Sequence, residues 1–205
     1  MAHVGITLHQ FKQMKDRLGG ARRAAAPVFD SSQSASAHTH QIILGLDPSL
    51  RGTGFGVIRL AKPFPLAVTH GRISCPSTWP HSRCLAKIAQ TLRDLMREHQ
   101  PTVCVVEGLF FAQNLQTAMV MGEARGAALA AIAESGIEVY EIAPRKVKQA
   151  IVGYGAAQKI AVAKMVQRLL NLSKPPEPDA ADALALALVQ VQGQGRYGLS
   201  PMKRV

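Results

Sequence analysis

The sequence predicts an α/β protein with a five-stranded mixed sheet and helices on both faces of that sheet. Three apolar stretches, at 42–46, 55–60 and 68–75, follow one another with links of hairpin length. Such short links join only antiparallel neighbours, so these stretches predict a three-stranded meander. Two further apolar stretches, at 102–106 and 137–142, alternate with helical patterns. This alternation is typical of parallel strands joined by crossover helices.

Helical periodicity fills the intervals between and after these strands. Apolar side chains recur at helical spacing in 78–99, and an alanine-rich segment at 114–134 predicts a second long helix. Pro144 is suited to the first position of another helix, because the amide hydrogen that proline lacks has no helical partner there. Further helices are predicted at 156–170 and 178–191.

The 205 residues suit one folded domain, over residues 41–192, with an extension at each end. Residues 1–40 close with a stretch rich in glycine, alanine and serine, which predicts a disordered basic N-terminal extension. A start codon placed too early and an organelle transit peptide are the alternatives. Residues 193–205 hold glycines and basic residues, and we expect a flexible tail.

The chain is strongly basic, with 24 Lys and Arg against 13 Asp and Glu and a net charge of +11. This charge indicates a polyanionic partner, most often nucleic acid, although ribosome-associated and membrane-surface proteins share it. No apolar run approaches the roughly 20 residues of a membrane span, so we expect no membrane association. The 3 cysteines lack CxxC spacing, and no secretory signal is apparent, so we expect reduced thiols and a cytoplasmic protein.

Two apolar strands end in carboxylates. The strand at 42–46 runs into Asp47, and the strand at 102–106 runs into Glu107. The helix between them would make these strands parallel, and both acids would then meet at the carboxyl edge of the sheet, where open α/β sheets bind ligands. Each acid could instead be the first solvated residue after a strand, but two in matching positions favour a shared site.

Asp179 and Asp182 form a second acidic pair. Their spacing of three places both carboxylates on one face of a helix. Acids in a first helical turn are also stabilised by the helix dipole, so the pair alone would say little about function. The apolar turns that follow, with Leu184, Leu186 and Leu188, are suited to pack on the sheet and bring the acids to the strand ends.

Four carboxylates without His or Cys ligands predict a site for a hard cation such as Mg²⁺. Two such ions, roughly 3.5–4 Å apart, would activate a water and stabilise the leaving oxygen in phosphodiester hydrolysis. An acidic pocket in a basic protein therefore favours a metal-dependent nuclease.

The same residues resemble the motifs of the RuvC-type Holliday junction resolvases, which have an RNase H-like fold. The match extends over 42–189 and consists of stretches in the family's order: Leu44-Gly45-Leu46-Asp47-Pro48 with Gly52-Thr53-Gly54-Phe55-Gly56-Val57; Val106-Glu107 with Phe110 to Asn114; Gly122-Glu123-Ala124-Arg125-Gly126; Arg145-Lys146-Val147-Lys148-Gln149; and Asp179-Ala180-Ala181-Asp182-Ala183-Leu184-Ala185. No single stretch is decisive, but their order and spacing together are specific. Two positions depart from the family: Ser49 stands where Gly is usual, and Phe55 where Tyr is common.

The resemblance implies a structure-selective endonuclease that resolves four-way Holliday junctions in recombination and repair. Asp47, Glu107, Asp179 and Asp182 fall on the family's catalytic acids, which bind Mg²⁺, with Mn²⁺ as a substitute. The family acts as a homodimer whose two active sites nick opposing strands. Partnership with the branch-migration proteins RuvA and RuvB is implied in the same way.

The resemblance also assigns DNA contacts. Phe110 aligns with an aromatic residue that stacks on an unpaired base, although packing in the core is the alternative. Lys148 and Lys159 match basic DNA-contacting positions, and Arg145 and Lys146 lie beside the first. Each of these could equally be an ordinary solvated residue.

Gly122 and Gly126 lie four apart in the predicted helix at 114–134. Small residues at this spacing let two backbones approach, either against the sheet or across a two-fold interface. The resemblance favours the interface.

Three other functions stay open at this point. An ATP-binding member of the actin and sugar-kinase group has a similar first loop, but it needs two such domains and a second nucleotide loop. A DNA-binding module without catalysis explains the charge but not the four acids. An RNase H-like hydrolase of RNA–DNA hybrids would share the acidic site and differ in substrate.

Overall fold

The computed structural model of the chain describes residues 40–108, 114–193 and 202–205. The predicted N-terminal extension, apart from residue 40, and Phe110 lie outside the described residues.

The elements alternate much as the sequence predicts. The described strands are β1 (Ile42–Asp47), β2 (Gly52–Arg59), β3 (Leu66–Ser74), β4 (Val103–Glu107), β5 (Glu138–Ile142) and β6 (Lys203–Arg204). The described helices are α1 (His81–His99), α2 (Leu115–Ala133), α3 (Pro144–Val152), α4 (Lys159–Leu169) and α5 (Pro178–Gly193).

The described strands form one mixed sheet in the order β3-β2-β1-β4-β5-β6. The predicted meander of β1, β2 and β3 is confirmed, and β1, β4 and β5 run parallel. The prediction of five strands is wrong, because Lys203 and Arg204 pair antiparallel with β5. This pairing also contradicts the expectation of a flexible tail for these two residues. Arg204 lies 3.0 Å from Glu138, so an ion pair supports a strand that has no apolar alternation.

Helices cover both faces of the sheet, as predicted. Side chains alternate along a strand, so Leu44 and Leu46 pack on one face with α1 and α2, while Ile43 packs on the other with α3, α4 and α5. The parallel strand β4 is buried on both faces, with Val103 and Val105 on the α5 side. The sheet is therefore the middle layer of three.

Helix α5 packs unusually close to the centre of the sheet. A Cβ atom on Gly45 of β1 would overlap the carbonyl oxygen of Ala183 and lie 2.9 Å from the amide nitrogen of Ala187. A Cβ atom on Gly54 of β2 would overlap the backbone of Asp179 in the same way. The glycines and the small residues of α5 thus allow backbone-to-backbone packing, and α5 is buried from Ala180 to Val189 except at one partly exposed position, Asp182.

Two helices begin about one turn later than the sequence predicts. Helix α1 begins at His81 rather than at residue 78, because residues 76–79 form a turn in which the Trp79 amide donates to the Pro76 carbonyl at 3.1 Å. Helix α4 begins at Lys159 rather than at residue 156. Helix α2 begins as predicted after Asn114, whose side-chain oxygen accepts from the Thr117 amide at 2.7 Å.

Cys75, Cys84 and Cys104 are free and buried. Burial raises the pKa of the Cys104 thiol to about 12. Within the described ranges, no helix has both the length and the apolar character needed to cross a membrane.

We predict that Ala183→Leu destabilises the fold by about 1–3 kcal/mol, because Ala183 is fully buried and the larger side chain would overpack the core between α5 and the sheet. The same substitution at Ala86, an exposed alanine of α1, should change stability by less than about 0.5 kcal/mol. Urea denaturation of both variants measures the difference. Equal stabilities would contradict the close packing of α5.

Candidate active site

Asp47 and Glu107 lie side by side at the carboxyl ends of two parallel strands. Leu46 pairs with Val106 in the register of β1 and β4, so the next residue of each strand is the acid. Both acids extend toward the α5 face, because they alternate with Leu46 and Val106, which pack on the α1 and α2 side. Their carboxyl groups lie close enough for each to affect the pKa of the other.

Helix α5 brings Asp179 and Asp182 to the same edge. Gly54 is the partner of Asp47 in the β1–β2 ladder, and a Cβ atom on Gly54 would lie 3.2 Å from the Cβ atom of Asp179. The charges of both α5 aspartates act on Asp47, and the charge of Asp182 also acts on Glu107. All four predicted acids therefore belong to one cluster.

Two basic side chains contact the acids of α5. The Nζ atom of Lys159 lies 2.9 Å from Oδ2 of Asp182, and Nε of Arg72 lies 2.9 Å from Oδ2 of Asp179. Lys159 is among the predicted DNA-contacting residues, and the structure places it against an acid of the cluster. Arg72 was not singled out from the sequence, because its position depends on a hairpin register that is irregular between Val57 and Ile58.

Burial and mutual repulsion raise the proton affinity of the two strand acids. Burial, followed by the charge of Asp47 and the hydrogen bond to it, raises the pKa of Glu107 to about 8. Burial also raises the pKa of Asp47, although the hydrogen bond from Glu107 opposes this. The pKa of Lys159 is raised, chiefly by its hydrogen bond to Asp182. At neutral pH and without a cation, the two strand acids are therefore expected to share one proton.

A buried arginine fixes the end of β4 beside the cluster. Arg125 of α2 is 7% exposed, and its guanidinium donates to the main-chain carbonyl of Glu107 and to the carboxylate of Glu141. Arg125 lies in one of the quoted sequence motifs, but a charged residue in a helix is usually solvated, so its role was not predicted. The guanidinium holds β4 and β5 in place next to the acids.

The turn after Asp47 is closed by hydroxyl groups. The Ser49 hydroxyl accepts from the Gly52 amide at 3.1 Å, and the buried Thr53 hydroxyl donates to the Ser49 carbonyl at 2.6 Å. Ser49, which stands where the family usually has Gly, therefore caps the turn beside the first acid.

The other predicted basic residues lie near the same edge. Arg145, Lys146 and Lys148 belong to the first turns of α3, which follows the carboxyl end of β5. Among the residues that the structure describes, none of these three lies within 4 Å of a carboxylate. They are therefore free to meet a polyanion at this edge.

The donor set of the cluster suits a hard divalent cation. In residues 40–108, 114–193 and 202–205, no group of three or more His, Cys, Asp or Glu side chains stands in a ligating arrangement. Instead the strand acids lie next to each other, and the α5 acids contact Arg72 and Lys159. Carboxylate oxygens are the ligands that Mg²⁺ prefers, and a divalent charge would offset the repulsion that now forces a proton onto the strand acids. The chemistry of the four carboxylates therefore suits such an ion.

Comparison with known proteins identifies the family. Residues 43–190 match the family model described as crossover junction endodeoxyribonuclease RuvC. The chain belongs to the RuvC family.

RuvC proteins of several bacteria resemble the chain over most of their length. The crossover junction endodeoxyribonuclease RuvC of Protochlamydia amoebophila is 49% identical over 144 residues, which is 70% of this chain and 86% of the relative. The RuvC of Rubrobacter xylanophilus is 44% identical over 149 residues, or 72% of this chain and 83% of the relative.

A solved RuvC structure shares the fold. T. thermophilus RuvC in complex with Holliday junction substrate superposes with a TM-score of 0.71 at 30% identity, covering 81% of this chain and all of the other. The RNase H-like fold predicted from the sequence is thereby confirmed.

We predict that Glu107→Gln stabilises the metal-free protein at pH 8 and flattens its dependence on pH. The pKa of Glu107 in the folded state, about 8, exceeds its usual value of 4.5. Between these values the folded protein holds a proton that the unfolded chain has lost, so stability falls as the pH rises through this window. Glutamine keeps a hydrogen-bond donor but does not titrate, and we expect a gain of roughly 1–3 kcal/mol at pH 8.

Urea denaturation in EDTA at pH 5 and pH 8 measures this effect. Asp94→Asn, at an exposed ion pair of α1 whose partner Arg97 stays charged in this range, is the control and should leave the pH dependence unchanged. An unchanged slope in Glu107→Gln would contradict the shared proton.

Proposed function

We propose that this RuvC-family protein is a Holliday junction resolvase, a metal-dependent endonuclease that cleaves four-way DNA junctions in recombination and repair. The observation that carries the proposal is the cluster of Asp47, Glu107, Asp179 and Asp182, built from two adjacent parallel strands and α5. Its position in a chain with a net charge of +11 suits a polyanionic substrate.

The four acids are proposed as the catalytic, metal-binding residues. Asp47 and Glu107 are fixed by the β1–β4 register, and Asp179 and Asp182 by the packing of α5. We expect Mg²⁺, in two positions per site and replaceable by Mn²⁺, which would supply an activated water and stabilise the leaving oxygen of the phosphodiester. The carboxylates orient and hold this charge, while Arg125 keeps the end of β4 in place.

Basic side chains near the cluster, together with Phe110, are proposed to hold the junction. Arg145, Lys146 and Lys148 would neutralise phosphates, and Lys159 would do so at the edge of the acidic cluster. Phe110 would stack on an unpaired base near the crossover. The complex of T. thermophilus RuvC with Holliday junction substrate supports junction DNA as the ligand.

A homodimer is proposed, with α2 at its interface. Leu115 and Met119 of α2 are 76% and 59% exposed, and a Cβ atom on Gly122 or Gly126 would meet nothing within 4 Å. These four residues recur at helical spacing and form an exposed face with small and apolar side chains. Such a face suits a two-fold contact, which would place two active sites on one junction.

The remaining assignments rest on family membership and on sequence composition. We propose that the protein acts in the cytoplasm with the branch-migration proteins RuvA and RuvB. Residues 41–192 form the nuclease domain in this proposal, and the composition of residues 1–40 leads us to propose a disordered basic extension there.

We predict that Asp47→Asn keeps junction binding and lowers the rate of cleavage by more than about 100-fold. Loss of a partner that only orients a metal ligand costs about 10–100-fold, so loss of the ligand itself should cost more. Cleavage of a synthetic four-way junction with Mg²⁺ gives the rate, and gel mobility in EDTA gives the affinity.

Asp94→Asn, at an exposed ion pair of α1, is the matched control and should cleave normally. Unchanged cleavage by Asp47→Asn would overturn the site. Faster cleavage of an RNA–DNA hybrid than of the junction by the wild type would replace the resolvase with an RNase H-like hydrolase.

We predict that Met119→Glu shifts the protein from dimer to monomer, with at least about a tenfold higher dissociation constant, because a charge would be buried in the interface. Sedimentation velocity over a range of concentrations measures the equilibrium. Phe64→Glu, at a residue 64% exposed between β2 and β3, should leave it unchanged. A monomeric wild type would contradict the α2 interface.

A further inference from the structure

Arg72 of β3 contacts the acidic cluster at Asp179, whereas Lys159 of α4 contacts it at Asp182. It lies on β3 directly across from Gly54, and Gly54 is in turn the partner of Asp47 on β1. Arg72, Gly54, Asp47 and Glu107 therefore form one row across the sheet, on the face that α5 covers. In this row the first turn of α5 sits above Gly54, and Asp179 meets Arg72 at 2.9 Å.

Gly52 provides the space that this contact needs. A Cβ atom on Gly52 would lie 2.5 Å from Nη2 and 2.8 Å from Cζ of Arg72, so any larger residue would meet the guanidinium. Gly52 and Gly54 thus have different neighbours. The absence of a side chain at Gly52 leaves space for the Arg72 guanidinium, and its absence at Gly54 lets α5, which carries Asp179, pack on the sheet.

We propose that Arg72 is a positioning residue, which orients the Asp179 carboxylate within the cluster through a path opened by Gly52. The inference rests on the proposed function, since it takes the four acids as the metal site. A guanidinium cannot ligate a cation itself, but its planar array of donors restricts the carboxylate to few orientations. Partners of this kind orient metal ligands in proteins, and their loss weakens metal binding.

Exposure sets the expected size of the effect. The side chains of Arg72 and Asp179 are 44% and 28% exposed, so solvent screens both their attraction and the repulsion between Arg72 and a bound cation. The loss of orientation should then dominate, and we expect Arg72→Ala to bind Mn²⁺ about three- to tenfold more weakly without unfolding.

The surroundings of Arg72 are also compatible with a direct contact to DNA, and the experiment must distinguish that role from the orientation of Asp179. Arg72 also lines an open groove of about 670 Å³, together with His70 and Lys174. Glu177 also lines this groove, but Arg72 and Lys174 could bind the phosphates of a DNA strand there. Arg72 would then act on the junction rather than on Asp179.

The test measures binding of Mn²⁺ to the DNA-free protein by electron paramagnetic resonance, together with thermal unfolding and junction affinity in EDTA. We expect Arg72→Ala to weaken Mn²⁺ binding while its Tm and its junction affinity stay close to wild type. Arg72→Lys, which keeps a donor and the charge, should recover part of the loss. Arg93→Ala is the matched control, because Arg93 is 43% exposed and contacts Glu134 at 2.7 Å far from the cluster.

Gly52→Ala provides an independent perturbation. It should reproduce the loss of Mn²⁺ affinity, because the added methyl group displaces the guanidinium. In the Arg72→Ala background the same substitution should have little further effect, since the group it displaces is gone. Full additivity of the two losses would contradict the path through Gly52.

Several results would overturn the inference. Arg72→Ala with wild-type Mn²⁺ affinity, or with tighter binding, would show that Arg72 does not orient a ligand. Weaker junction binding at unchanged Mn²⁺ affinity would make Arg72 a DNA contact. A wild type that binds Mn²⁺ but cleaves no junction would contradict the proposed function, and the role of Arg72 in Mn²⁺ binding would still be tested. A wild type that binds no Mn²⁺ would overturn both the proposed function and the role of Arg72.

Discussion

The close approach of α5 to β1 and β2 is the constraint on which the candidate site depends. Asp47 and Glu107 are placed by strand pairing alone, but Asp179 and Asp182 lie far away in sequence and reach them only because α5 lies directly on the sheet. Gly45 and Gly54 remove the side chains that would hold the helix away. The apolar packing that stabilises the domain is thus also what assembles the acidic cluster.

Four carboxylates close together repel one another, and neighbouring groups in the chain reduce this repulsion. Burial raises the pKa of both strand acids, so the pair is expected to share one proton. Asp179 and Asp182 each contact a basic side chain, Arg72 and Lys159 respectively. Acids that share a proton or pair with a basic side chain because they lie so close together are typical of a functional site. Such a site lowers the stability of the fold in exchange for its activity.

The sequence predicted most of the fold and all four acids, because these depend on local patterns. Strand periodicity located the ends at Asp47 and Glu107, and the spacing of Asp179 and Asp182 placed both on one helix face. The contacts between the acids and their basic partners depend instead on strand register and helix packing, which the pattern of apolar side chains does not specify. Arg72 was missed for this reason, and β6 was missed because a two-residue strand carries no alternation to detect. Lys159 was recognised as a functional candidate, but its contact with Asp182 follows only from the packing of α4 against α5.

The most direct test of the four-acid metal site is anomalous diffraction at the manganese edge from crystals grown with Mn²⁺. The account predicts anomalous density in contact with carboxylates from both sources, at least one of Asp47 and Glu107 together with at least one of Asp179 and Asp182. Density that involves only one source, or an ion bound elsewhere while the four acids keep their present partners, would contradict it.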